Sequence, residues 1–224
     1  SQQLVKRGPG TLVLAAGNSH SGGTLVEAGR VVVADATALG SGTLRVAGGA
    51  TLVANTGTAE IRVSSLVVDA GGRIDLGAGR ITVAARGFTT AGIVALITAG
   101  LNGGDWAGTT GITSGLAAET PDRCVGYAEN DDGSLTVAFA APGDTNLDGL
   151  IDTLDVANIA AAGLFDAGTT TAWWQGDINY DGVIDILDLS ALLGSGLYDE
   201  ASYLPSGRSA REAAFASHDA SPSA

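Results

Sequence analysis

The sequence predicts a mainly β chain. A β-solenoid of the parallel β-helix type comes first, then a small α+β connector, then a C-terminal α-helical module of two loop–helix halves. Three observations predict this. Glycine supplies 34 of 224 residues, about twice the usual share. Short β-rich runs separated by Gly turns fill residues 1–86. A twelve-residue acidic window, Asp144 to Asp155, returns thirty-three residues later as Asp177 to Asp188.

In residues 1–86 the β-rich runs are Thr11–Leu14, Arg30–Ala34, Thr43–Val46, Thr51–Val53, Ile61–Val63, Ser65–Asp69, Arg73–Leu76 and Arg80–Ala84. Gly22-Gly23, Gly48-Gly49 and Gly71-Gly72 punctuate them, and Gly-Thr-Leu recurs at Gly10, Gly23 and Gly42. Apolar alternation with turn signals every eight to twelve residues means an all-β fold. Short, self-similar strands poor in aromatics favour a solenoid over a sandwich, because each coil buries its inward Leu, Val and Ile against its neighbours. The stretch Gly10-Thr-Leu-Val-Leu-Ala-Ala-Gly-Asn-Ser-His-Ser-Gly-Gly-Thr-Leu-Val-Glu-Ala-Gly29 resembles the autotransporter-associated β-strand repeat. The resemblance implies a passenger-like segment of a large secreted or surface bacterial protein, and it implies no catalytic residues.

Residues 87–142 change character. Thr89-Thr90 caps a short apolar helix through Ile93–Ile97 that ends at Gly100 or Gly103-Gly104, and a second short helix is expected near Ile112–Ala118. Val125–Tyr127 and Leu135–Phe139 read as strands joined by the turn Asn130-Asp-Asp-Gly133. An open solenoid end exposes apolar core and unpaired strand edges, so this connector is expected to cap it.

The acidic windows agree at positions 1, 3, 5, 6, 8, 9, 11 and 12. Calcium takes six to eight oxygens, and a loop that offers them from positions 1, 3, 5, 7, 9 and 12 wraps the ion. The expected ligands in loop one are the side chains of Asp144, Asn146, Asp148, Asp152 (directly or through water) and Asp155, with the Leu150 carbonyl. In loop two they are Asp177, Asn179, Asp181, Asp185 and Asp188, with the Val183 carbonyl. Two calcium ions are therefore the expected cofactors. Gly149 and Gly182 allow the turn's positive φ. Ile151 and Ile184, at position 8, are expected to pair with each other in a short β-bridge and enter the core. Four carboxylates per loop repel without metal, so binding is expected to drive folding. Position 12 is Asp in both windows, where the usual EF-hand loop has Glu.

No helix is expected before either loop. Pro142-Gly143 precedes the first, and the Thr- and Trp-rich stretch Thr169–Gly176 the second. Helices are expected after them, from Thr153 to about Ala162 and from Ile186 to Leu193. Two loop–helix halves so arranged over residues 143–199 resemble a type I dockerin. That resemblance implies calcium-dependent attachment to a cohesin-like partner or cell-surface scaffold. It also implies partner recognition at loop positions 10 and 11, here Thr153, Leu154, Ile186 and Leu187. Those positions are mostly apolar where the family has small hydroxyl residues, so a divergent partner and packing on the chain itself both stay open. Trp173-Trp174 is read either as an anchoring or carbohydrate-stacking pair, or as one core Trp beside a half-exposed one. Residues 200–224, rich in Ser and Ala, read as a disordered tail.

The net charge is −13, and between Arg123 and Arg208 there are fourteen Asp or Glu and no Lys or Arg. Such a segment repels nucleic acid. No apolar run is long enough to span a membrane. The absence of Met, even at position 1, points to a processed product or a fragment. Cys124, the lone cysteine, reads as a small buried hydrophobe. His20 and His218 lie at opposite ends of the chain, which leaves no His-based triad or zinc site. Asp69 and Asp75, in neighbouring β runs, are the candidate carboxylate pair for glycoside hydrolysis. The expectation is a non-catalytic, extracellular or cell-surface bacterial protein with a spacer or adhesive solenoid. The alternative is a C-terminal fragment of, or accessory to, a polysaccharide-degrading glycoside hydrolase, with polysaccharide as the ligand.

Overall fold

The computed structural model describes residues 2–169 and 171–205. Ten short strands open the chain: β1 (Leu4–Lys6), β2 (Thr11–Leu14), β3 (Thr24–Val26), β4 (Arg30–Val33), β5 (Thr43–Val46), β6 (Thr51–Ala54), β7 (Glu60–Val63), β8 (Ser65–Val68), β9 (Arg73–Asp75) and β10 (Arg80–Val83). They stack in parallel into a β-solenoid of about four turns. One wall runs β1-β3-β5-β8. A second runs β2-β4-β6-β9 and is extended by β11 (Gly111–Thr113). The third wall begins with β7 and β10.

The stacking follows from in-phase apolar positions. Leu12, Val31, Leu52, Ile74 and Ile112 are register partners from one coil to the next, and all but Leu12 are essentially inaccessible to water. Identical inward positions on successive coils give each aliphatic side chain a like-shaped neighbour above and below, which suits β-branched residues. Corners need residues without Cβ. At Gly29, φ is +75° and a Cβ would lie 2.5 Å from the Gly8 carbonyl oxygen, so only glycine fits.

Two strands, β1 and β3, were not among the expected runs. They are only three residues long, too short for alternation to declare itself. At the end of β1, Lys6 pairs in register with Val26 and is buried. Its ammonium donates to the carbonyls of Arg7 (3.1 Å), Gly8 (2.6 Å) and Ala28 (3.0 Å), so all three of its hydrogens are used.

The connector holds α1 (Thr90–Leu101), whose first turn is capped by Thr89 accepting from Gly92 N. It ends at Asn102 in the left-handed region, one or two residues from the glycines expected to stop it. The helix expected over Ile112–Ala118 is corrected. Ile112 lies in β11, and the helix α2 is confined to Gly115–Glu119 behind the Ser114 cap. The β-branched pair Ile112-Thr113 joins the β9 edge instead, a tertiary contact that local propensity does not reveal. β12 (Cys124–Glu129) and β13 (Leu135–Ala140) form the expected hairpin. β13 lies antiparallel on β10, which ends the parallel stack and covers the β10 edge.

Two helices follow, α3 (Thr153–Ala162) and α4 (Ile186–Gly194), with a 3-10 turn at Trp173–Gln175 between them. The first is stopped by Gly163 at φ 63°. Most of the expected disordered tail, residues 206–224 with His218, lies outside the described residues. Residues 200–205 are described and correct that expectation. They fold back over the first acidic loop, with Tyr203 N donating to the Gly149 carbonyl and Leu204 against Gly149.

Candidate calcium sites

The two acidic loops have matching backbones. Position 4 is left-handed in both, Leu147 at φ 59° and Tyr180 at φ 65°. Position 6 is glycine at φ 90° in both. Position 9 is the extended N-cap of the following helix, Asp152 (φ −139°, ψ −163°) and Asp185 (φ −141°, ψ −164°), each in a capping box with the Asp at position 12. The repeat seen in sequence is thus a repeat in conformation.

The oxygens turn onto the loops' own N–H groups in the same pattern. Asn146 and Asn179 accept from the amides of Asp148 and Asp181 at 2.9 and 2.8 Å. Asp148 and Asp181 accept from Leu150 and Val183 at 2.9 and 3.0 Å. Asp155 and Asp188 each bridge the loop, accepting from position 2 (Thr145 N, Ile178 N, both 2.8 Å) and from position 9 (Asp152 N, Asp185 N, both 2.9 Å). Asp155 and Asp188 are fully buried. Among the described residues, no three His, Cys, Asp or Glu side chains converge closely enough to form a metal-binding group of their own. The donor set of each loop mixes carboxylates with an Asn and a main-chain carbonyl.

Burial and crowding set the electrostatics of these carboxylates. Burial pushes the Asp144 carboxyl up from the ordinary 3.8 to about 6, against the hydrogen bonds from Tyr203 and Gly149 and with help from Asp155 and Asp148. Burial likewise pushes Asp177 to about 6, against backbone hydrogen bonds from Gly182 and Tyr180 and with Asp188 and Asp181 adding to it. Asp155 and Asp188 are raised for the same first reason. The loops differ at position 1. Asp144 accepts from Asp148 N, Gly149 N and the Tyr203 hydroxyl, whereas Asp177 is 5% exposed and its Oδ1 has no hydrogen-bond partner. A buried carboxylate oxygen left unpaired is costly, and a hard cation is the partner that chemistry would suit.

The expected pairing of Ile151 with Ile184 is corrected. Both are buried, yet Ile151 bridges Tyr198 and Ile184 bridges Phe165. The reason is a second repeat that the acidic windows overshadowed: Gly163-Leu-Phe-Asp166 and Gly196-Leu-Tyr-Asp199, again thirty-three residues apart. After each helix the chain turns at a left-handed Asp (Asp166 at 54°, Asp199 at 59°). It then pairs with the other half's loop, Asp166 N to the Ile184 carbonyl and Asp199 N to the Ile151 carbonyl. Each half therefore completes the other.

Of the expected recognition positions, Thr153, Leu154, Ile186 and Leu187 are all exposed, the last three at 59%, 64% and 57%. The tryptophans divide as one of the two readings had it. Trp173 is fully buried and Trp174 half-buried. Trp173 Nε1 donates to the Asp144 carbonyl at 3.0 Å. Asp69 and Asp75 are not brought together as a hydrolytic pair. Asp69, just past β8, pairs with Arg45. Asp75 ends β9 on another wall, bonded to Arg73, Gly77 N and Gly115 N.

Sequence reasoning missed Tyr180 and Tyr203. Tyr180 donates to the Val125 carbonyl, and only its offset from Leu147 could have marked it. Tyr203 lay in a stretch that read as tail. No helix among the described residues is long and apolar enough to cross a membrane.

The family model of the passenger-associated transport repeat covers residues 4–33, which hold β1 to β4. Neither the curated proteins nor the solved structures yield a match. That repeat is a structural one rather than a catalytic one, and with the solenoid it fits a passenger region of a secreted or surface-displayed bacterial protein.

Proposed function

We propose that this chain is a non-catalytic piece of a secreted or cell-surface bacterial protein. Its β-solenoid acts as spacer or adhesive surface, and its C-terminal dockerin-like module binds two calcium ions. Asp144, Asn146, Asp148, Asp152, Asp155 and the Leu150 carbonyl would hold one ion. Asp177, Asn179, Asp181, Asp185, Asp188 and the Val183 carbonyl would hold the other. The single observation that carries the reading is the matched conformation of the two loops around buried acids, with Asp177 Oδ1 unpaired. Calcium would supply charge neutralisation where four carboxylates crowd each loop. The chain's own part is to orient the oxygens, through the N–H groups already bonded to them.

The exposure of Leu154, Ile186 and Leu187 leaves these positions open to a cohesin-like or scaffold partner. Calorimetric titration of the full chain with calcium tests the metal reading. Two equivalents bound at millimolar calcium or below is the expected result. No heat at millimolar calcium would overturn it.

A further inference from the structure

Loop position 4 is the point where each acidic loop meets the rest of the chain. Leu147 and Tyr180 are both held left-handed, a conformation unfavourable for a non-glycine residue, and both turn toward the end of the solenoid. Leu147 is 4% exposed and lies against Gly126 of β12. Its carbonyl accepts from Arg80 of β10 at 3.1 Å. Tyr180 donates to the Val125 carbonyl on β12. Its ring stacks on Tyr127 (6.1 Å, 22°) and Trp173 (5.4 Å, 28°), with Trp106 of the connector edge-on at 6.2 Å. Trp173 presses so closely on β12 that a Cβ at Gly126 would lie 2.7 Å from its ring. On the other side of loop one, Tyr203 bonds Asp144 while its ring meets Phe139 of β13 and carries the Arg123 guanidinium.

We infer that the two loops form a calcium-operated cap on the chain's own solenoid end, in which loop occupancy holds β12 and β13 closed over the core through Leu147, Tyr180 and Trp173. This rests on the reading that the loops bind calcium. The coupling is physical. The same left-handed turn that gathers the loop's oxygens aims the position-4 side chain at β12, so a loop that loses its shape withdraws its contact. Free energy of binding at the loops then appears as stability of the strands they touch.

The molecule contains its own reporter. Cys124, the first residue of β12, is 5% exposed and the lone cysteine of the chain. It pairs in register with Ala140 of β13, and Tyr180 of loop two bonds the carbonyl of the next residue, Val125, so it lies beneath the module. The test measures the alkylation rate of Cys124 by iodoacetamide in the full chain, with calcium and with chelator, beside a calcium titration by calorimetry. Amide exchange over residues 125–140 is read in the same samples. If the thiol is reached only when the cap opens, calcium at one hundred times its Kd slows alkylation and exchange about 100-fold for each ion that opening releases. Two equivalents of calcium bound with unchanged alkylation and exchange would overturn the cap and leave the metal reading standing. No calcium bound would overturn both.

Discussion

Tyr203 donates its phenolic hydrogen to Asp144, the first carboxylate of loop one, from 59 residues further along the chain. The matching carboxylate of loop two, Asp177, keeps a buried oxygen without a partner. Two loops alike in backbone therefore differ in how firmly their first carboxylate is held. Hydrogen bonds to a metal-ligating carboxylate fix its orientation, and their loss costs about 10- to 100-fold in metal affinity. Tyr203→Phe is expected to weaken one of the two calcium sites by about 10-fold and to leave the other as it was, read by calorimetric titration. Equal weakening of both sites would refute the asymmetry.

Asp188 closes loop two from both ends, with Ile178 N and Asn179 N on one oxygen and Asp185 N, at the helix cap, on the other. Asp188→Ala is expected to remove one calcium equivalent. It should also destabilise the calcium-free module by about 1–3 kcal/mol, the cost of leaving buried N–H groups unpaired, measured by urea unfolding. Asp155→Ala should do the same to loop one. Two equivalents retained in either variant would argue against position 12 as a ligand.

The parts of the fold that repeat were legible, because repetition multiplies a weak local signal. Val31, Leu52 and Ile74 stack in register because successive coils carry the same pattern. Asp144 and Asp177 announce each other at a fixed offset. What escaped notice depends on contacts between unlike segments. Ile112 joins a sheet whose neighbouring strand ends at Asp75. Tyr198 pairs with Ile151 from beyond a helix. Tyr203 finds Asp144 from a stretch whose composition reads as tail. The Gly-Leu-aromatic-Asp repeat at 163 and 196 was available to reading but less conspicuous than the acids beside it.

The raised acids set a pH dependence for the calcium-free protein. Asp144 and Asp177 bind a proton more tightly folded, at about 6, than unfolded, near 3.8. Their contribution to stability is complete below about pH 4 and lost as the pH rises through 6. In calcium-free buffer the thermal midpoint of the C-terminal helices should therefore fall between pH 5 and pH 7. A midpoint that rises over this interval, followed by circular dichroism, would contradict the burial of these two carboxyls.

Lys6 offers a test at the opposite end of the molecule. It heads a column whose other members are Val26, Val46 and Val68, yet it carries an ammonium there, bonded to three carbonyls at the first corner. Lys6→Met keeps the apolar stem and removes all three donors. Carbonyls left unpaired in a part-buried corner cost about 1–3 kcal/mol. In a solenoid each coil is stabilised mainly by its neighbours, so the loss should stay local. Amide exchange in β3 should accelerate about 5- to 160-fold, as that free-energy range implies, while β12 and β13 remain unchanged. Unchanged exchange in β3 would show that the carbonyls find other donors. A uniform acceleration along the chain would show that the solenoid opens as one unit.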